Sequence, residues 1–85
     1  MKEVAITIDG DVSQAEAQEK AEEIARQHNP ETFVVSRFNR NANACSPCCL
    51  KGKIGDKPGW EIYGENHGGS LKVTINAGEY VFVLS

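Results

Sequence analysis

Eighty-five residues are enough for one domain with a modest core and too few for two. A composition of 40% hydrophobic and 25% charged residues is that of a globular chain and excludes a disordered one. The net charge of −3 hides a division: residues 1–31 carry three cations against eight carboxylates, residues 32–57 five against one, and residues 58–85 one against three.

Such asymmetry bears on partners and not on fold. The run MKEVAITIDGD alternates and turns acidic, unlike the apolar stretch of a signal peptide. No segment approaches the roughly 18 apolar residues that span a membrane. The expected compartment is the cytoplasm, where thiols stay reduced.

In chain order, residues 3–8 place Val4, Ile6 and Ile8 on one side of a β-strand. Asp9, Gly10 and Asp11 break it. A helix follows, opened by a capping box of Ser13 and Glu16, with Val12 stapled to Ala17. Ala17, Ala21, Ile24, Ala25 and His28 share one face of that helix. Asn29 and Pro30 end it. Residues 32–38 read as an apolar strand, with Phe33 and Val35 to one side and Val34 and Phe38 to the other. A strand, a helix and a strand in this order suggest a right-handed crossover between parallel neighbours.

From residue 39 to 59 no period survives, an unusually long irregular stretch for so small a domain. Residues 60–64 alternate Trp60 and Ile62 against Glu61 and Tyr63, as a strand would. Residues 65–70 form a glycine-containing turn, 71–75 a strand with Leu71, Val73 and Ile75 inward, 76–79 a tight turn, and 80–84 an apolar strand. The expectation is a single α+β domain over 1–85. One helix packs on a mainly antiparallel sheet of about five strands, order β-α-β-β-β-β, with a long irregular loop at 39–59. One helix leaves part of a sheet face bare, with Tyr63, Val81 and Val83 or their neighbours on it, and bare apolar surface tends to mark an interface.

The chemistry-bearing residues cluster in that loop. Cys45 and Cys48 have the spacing of half a zinc knuckle, and Cys49 and His67 are candidates for the rest of a four-ligand set, with His28 more remote. A second ligand pair is missing, so the expectation is no cofactor, with zinc the metal that these residues could hold. A dithiol redox pair would sit at a helix N-terminus, but the glycine-rich CLKGKIGDKPG that follows does not favour a helix. Arg37, Arg40, Lys51, Lys53, Lys57, Trp60 and Tyr63 mix cations with aromatics, a pattern suited to contacting a partner or a phosphate backbone. The pI of 5.3 argues against a dedicated nucleic-acid binder.

No nucleophile–base pair, phosphate loop or dinucleotide fingerprint is present in the sequence, and the expectation is a protein that is not an enzyme. The leading reading is a small protein-binding module, with a homodimer among the expected arrangements. In size, acidity and build the chain resembles the small accessory proteins of phages and mobile elements. Among these are anti-CRISPR and anti-restriction inhibitors that act by surface blockade, but no motif carries the likeness. The alternative is a nucleic-acid-binding module stapled by metal at Cys45 and Cys48 and using the basic loop 37–57.

Overall fold

The computed structural model describes residues 2–42, 44–46, 53–54 and 57–85, with the backbone alone at 45–46, 53–54 and 57–58. Its elements are β1 (Lys2–Ile6), α1 (Gln14–Arg26), β2 (Val34–Asn39), β3 (Ala44–Ser46), β4 (Lys53–Ile54), β5 (Lys57–Pro58), α2 (Gly59–Asn66), β6 (Leu71–Ile75) and β7 (Tyr80–Leu84), with a short 3-10 turn at Asn76–Gly78. The main sheet runs β1-β6-β7-β2-β3, and β4 and β5 form a separate two-stranded ribbon. β1 and β6 are parallel; β6–β7, β7–β2 and β2–β3 are antiparallel.

Alternation along β6 and β7 divides two cores. Leu71, Val73, Ile75, Tyr80, Phe82 and Leu84 face α1, whose Ala17, Ala21 and Ala25 are buried against them. Alanines a turn apart let the helix lie close to the sheet, so the large residues of the strands supply the buried area. Val4, Ile6, Ile8, Val12, Ile24 and Val34 pack at the rim of this cluster, half-buried. Val81 and Val83 face the other way and are covered by Trp60 of α2, with Phe38 beside them. The molecule is therefore α+β with helices on both faces of a mixed sheet.

α1 begins where the capping box places it: Glu16 N–H donates to Ser13 Oγ at 3.2 Å. His28 lies past the helix end and is exposed, off the buried face assigned to it. At α2 the structure departs from expectation. Residues 60–64 are helical, and the turn read at 65–70 is a helix C-cap. Gly68 has φ +92, and Gly69 N–H donates to Gly64 O at 2.8 Å, the closure of a Schellman motif.

Three consequences correct the expected topology. There are two helices, so the order is not β-α-β-β-β-β, and the last three segments are not a meander. The parallel partner of β1 is β6 and not β2. The stretch 39–59 is not wholly irregular, since it holds β3, β4 and β5. A register shift between Val34 and Ser36 also places Ser36 and Phe38 on the α2 side and Val34 on the α1 side. Finally, the sheet face expected to be bare is the one that α2 covers.

Candidate functional site

β2 and β3 close one end of the sheet and hold the first part of the basic stretch. Phe38 lies opposite Cys45 and Asn39 opposite Ala44 in the antiparallel register. Arg37 and Asn39 point to the α1 side and are tied there: Arg37 Nη1 donates to Gln18 Oε1 and Asn39 Nδ2 to Gln14 Oε1, both at 3.0 Å. Gln18, Val34, Val35, Ser36 and Arg37 line a shallow open cleft between α1 and β2. Arg40 is exposed just beyond β2, with its backbone N–H bonded to Glu79 O and its guanidinium near Ala77 O. Lys53 and Lys57 lie on the β4–β5 ribbon, which packs near the start of α2. Lys51, Cys48 and Cys49 lie outside the described residues.

The aromatic members of the proposed contact set sit differently. Trp60 is buried, and its ring stacks on Phe38 at 5.6 Å and 7°. The stack occupies one face of each ring, and burial keeps Trp60 from serving as an exposed anchor. Tyr63 is half-buried on α2 and stacks on His67 at 3.9 Å. His67 Nδ1 lies 2.8 Å from Tyr63 O and caps the end of α2. Among the described residues, no three histidine, cysteine or carboxylate side chains converge as a metal group.

One polar cluster was not anticipated from the sequence. Glu61, on the buried side of α2, is ion-paired with Lys72 on the same face of β6, and Glu3 of β1 reaches Lys72 at 3.6 Å. Lys72 Nζ also stands 6.0 Å from the Trp60 ring centre. The acid and the base satisfy each other, so this is a buried lock between α2 and the sheet. The misassigned strand at 60–64 hid it, because a strand puts Glu61 and Trp60 on opposite faces. Ser36 Oγ, beneath Gly64, is buried without a hydrogen-bond partner among the described residues.

The fold and sequence both have counterparts. An uncharacterized protein of Archaeoglobus fulgidus is 31% identical over 85 residues, covering 96% of this chain and 86% of that protein. The crystal structure of AF1514 from the same organism superposes with a TM-score of 0.79 at 28% identity, covering all of this chain and 93% of that one. The family model described as a domain of unknown function, DUF5619, matches residues 1–84, and the chain belongs to that family.

Proposed function

We propose that the protein is a small non-enzymatic binding module. It holds a protein partner at the β2–β3 end of its sheet, through the basic stretch 37–57, and acts by occupying the partner's surface, inhibitory blockade included. The observation that carries this reading is the placement of Arg37 and Arg40, the cations of the basic stretch whose side chains are described, at that end of the sheet. β3 is the last strand of the sheet, and Arg37 is held in position by Gln18 of the acidic α1. A cation fixed by a neutral amide retains its charge for a partner, and opposite potentials steer association. The buried acid–base pair Glu61–Lys72 is committed to holding α2, which supports a non-catalytic role. The partner surface that fits is acidic. Since α2 covers the second sheet face, the contact surface lies at the sheet end and not on an open face.

The test is capture with the full chain from its native host, followed by reconstitution with the purified prey. Arg37→Glu combined with Arg40→Glu is expected to abolish binding while the module stays folded, with a modest fall in melting temperature from the lost Arg37–Gln18 contact. Arg40→Glu alone, at an exposed position, is expected to weaken binding with the melting temperature unchanged. Capture unchanged by both substitutions would overturn the assignment of the surface. Tight duplex DNA binding that falls steeply with salt, and is lost when Lys51, Lys53 and Lys57 become alanine, would favour the nucleic-acid alternative.

A further inference from the structure

The opposite end of the sheet carries a separate inference. β1 is the terminal strand there, and among the described residues it pairs with β6 alone. Lys2 N–H donates to Ser70 O at 3.0 Å, and in a parallel ladder alternate residues share that direction. Lys2, Val4 and Ile6 thus bond toward β6, and Ile8 continues the series with its N–H on Asn76 Oδ1 at 2.8 Å. The backbone groups of Glu3, Ala5 and Thr7 point the other way, into an edge that no described residue covers.

Natural edge strands are guarded by proline, bulges or charges. β1 has an unbroken register and no proline. Its two charges lie at its start: Lys2, and Glu3, which reaches toward Lys72 across the sheet face. The middle of the edge is Ala5, exposed and small. Val4, Ile6 and Ile8 form a half-buried apolar strip on the α1 side, because α1 packs chiefly over β6 and β7.

We infer that the β1 edge is a self-association surface: a second copy of the chain pairs with it antiparallel, about a two-fold axis at Ala5. The pattern selects both occupant and register. With Ala5 opposite Ala5, Glu3 meets the copy's Thr7, Val4 meets the copy's Ile6, and Lys2 comes beside the copy's Ile8 and Asp9. The outward backbone groups of Glu3, Ala5 and Thr7 then meet their own kind, giving roughly six main-chain hydrogen bonds. Val4 and Ile6 of both copies form one apolar row, and opposite charges approach at each end. A two-fold interface must be self-complementary, and this segment is. Centring on Glu3 instead would oppose two carboxylates. The surface is distinct from the basic β2–β3 end and does not depend on its function.

Amide exchange of the full chain, followed by NMR at rising concentration, is the test. Exchange at Glu3, Ala5 and Thr7 is expected to slow by about tenfold when roughly nine-tenths of the protein is dimeric, since it then proceeds from the residual monomer. The amides of Val4 and Ile6 are expected to be protected at every concentration. Light scattering should approach twice the 9.3 kDa chain mass. Ala5→Glu and Ala5→Lys should each be monomeric, and their equimolar mixture should associate again. A chain that stays monomeric at millimolar concentration would overturn the inference. So would association that leaves Ala5 and Thr7 exchanging freely. Should either variant fail to fold, the alternation of protection in the unmodified chain still decides. Arg40→Glu, at the other end of the sheet, should leave association unchanged.

Discussion

Glycine at position 64 weakens the interior of α2, by about 1 kcal/mol relative to alanine on helix propensity alone. A methyl group there would lie 2.6 Å from Val83 Cγ1 and 2.8 Å from Ser36 Oγ, and neither buried side chain has space to retreat. Overpacking costs about 1–3 kcal/mol, which outweighs the propensity gain. Gly64→Ala should therefore destabilise by about 1 kcal/mol, read as a lower urea midpoint at constant slope. Ser36→Ala should do the opposite, because it removes a buried hydroxyl whose lack of a partner costs about 1–3 kcal/mol. A lower melting temperature for Ser36→Ala would mean that the hydroxyl has a partner. Lys72→Met would strand the buried Glu61 carboxylate. Removing one partner of a buried pair costs about 3–5 kcal/mol, and the partial exposure of Lys72 puts the expected loss at the lower end. Adding Glu61→Gln should recover most of that loss, and equal melting of the single and double variants would refute the lock.

Among the elements, the turn between β6 and β7 carries the backbone strain. Asn76 and Ala77 both have positive φ, 51 and 59, followed by Gly78 at 99. Asn76 is suited to this, and its Oδ1 accepts from Ile8 N–H. Ala77 has no such compensation, and a left-handed residue bearing a Cβ costs about 1–2 kcal/mol. Allowing for the greater unfolded-state freedom of glycine, Ala77→Gly should raise stability by up to about 1 kcal/mol in thermal unfolding. An unchanged or lowered midpoint would show that the turn is not strained.

β1, α1, β2, β6 and β7 were legible because each has one period and a chemical start or stop: Ser13 and Glu16 for α1, alternating β-branched residues for the strands. α2 was not. Its Trp60, Ile62 and Tyr63 are strand formers, and eight residues give too few turns for a helical period to show. The usable signals were Pro58 just before the helix and Gly68 just after it. Partner strands were equally hidden, since hydrophobic patterns set which side chains face inward but not which strand lies alongside. Of the candidate site, Arg37 and Arg40 were found at a sheet end, whereas Trp60 proved to be core.

For the whole molecule, the order β1-β6-β7-β2-β3 sets how the parts assemble. β6 and β7 meet across a four-residue connection, whereas Lys2 of β1 pairs with Leu71, sixty-nine positions away. Closing so long a loop is entropically unfavourable until the rest of the sheet exists to receive the strand. Val4→Ala in β1 is therefore expected mainly to accelerate unfolding, and Val73→Ala in β6 to slow folding, in denaturant-jump kinetics. Equal effects on the two folding rates would place β1 in the nucleus.

The same separation acts during synthesis. At about 5–20 residues per second, β1 leaves the ribosome roughly 3–14 s before the residues that pair with it. Throughout that interval both of its edges, and the strip of Val4, Ile6 and Ile8, are without β6. On a polysome, where nascent copies lie close together, a strand made this long before its partner is the segment most exposed to joining the wrong chain.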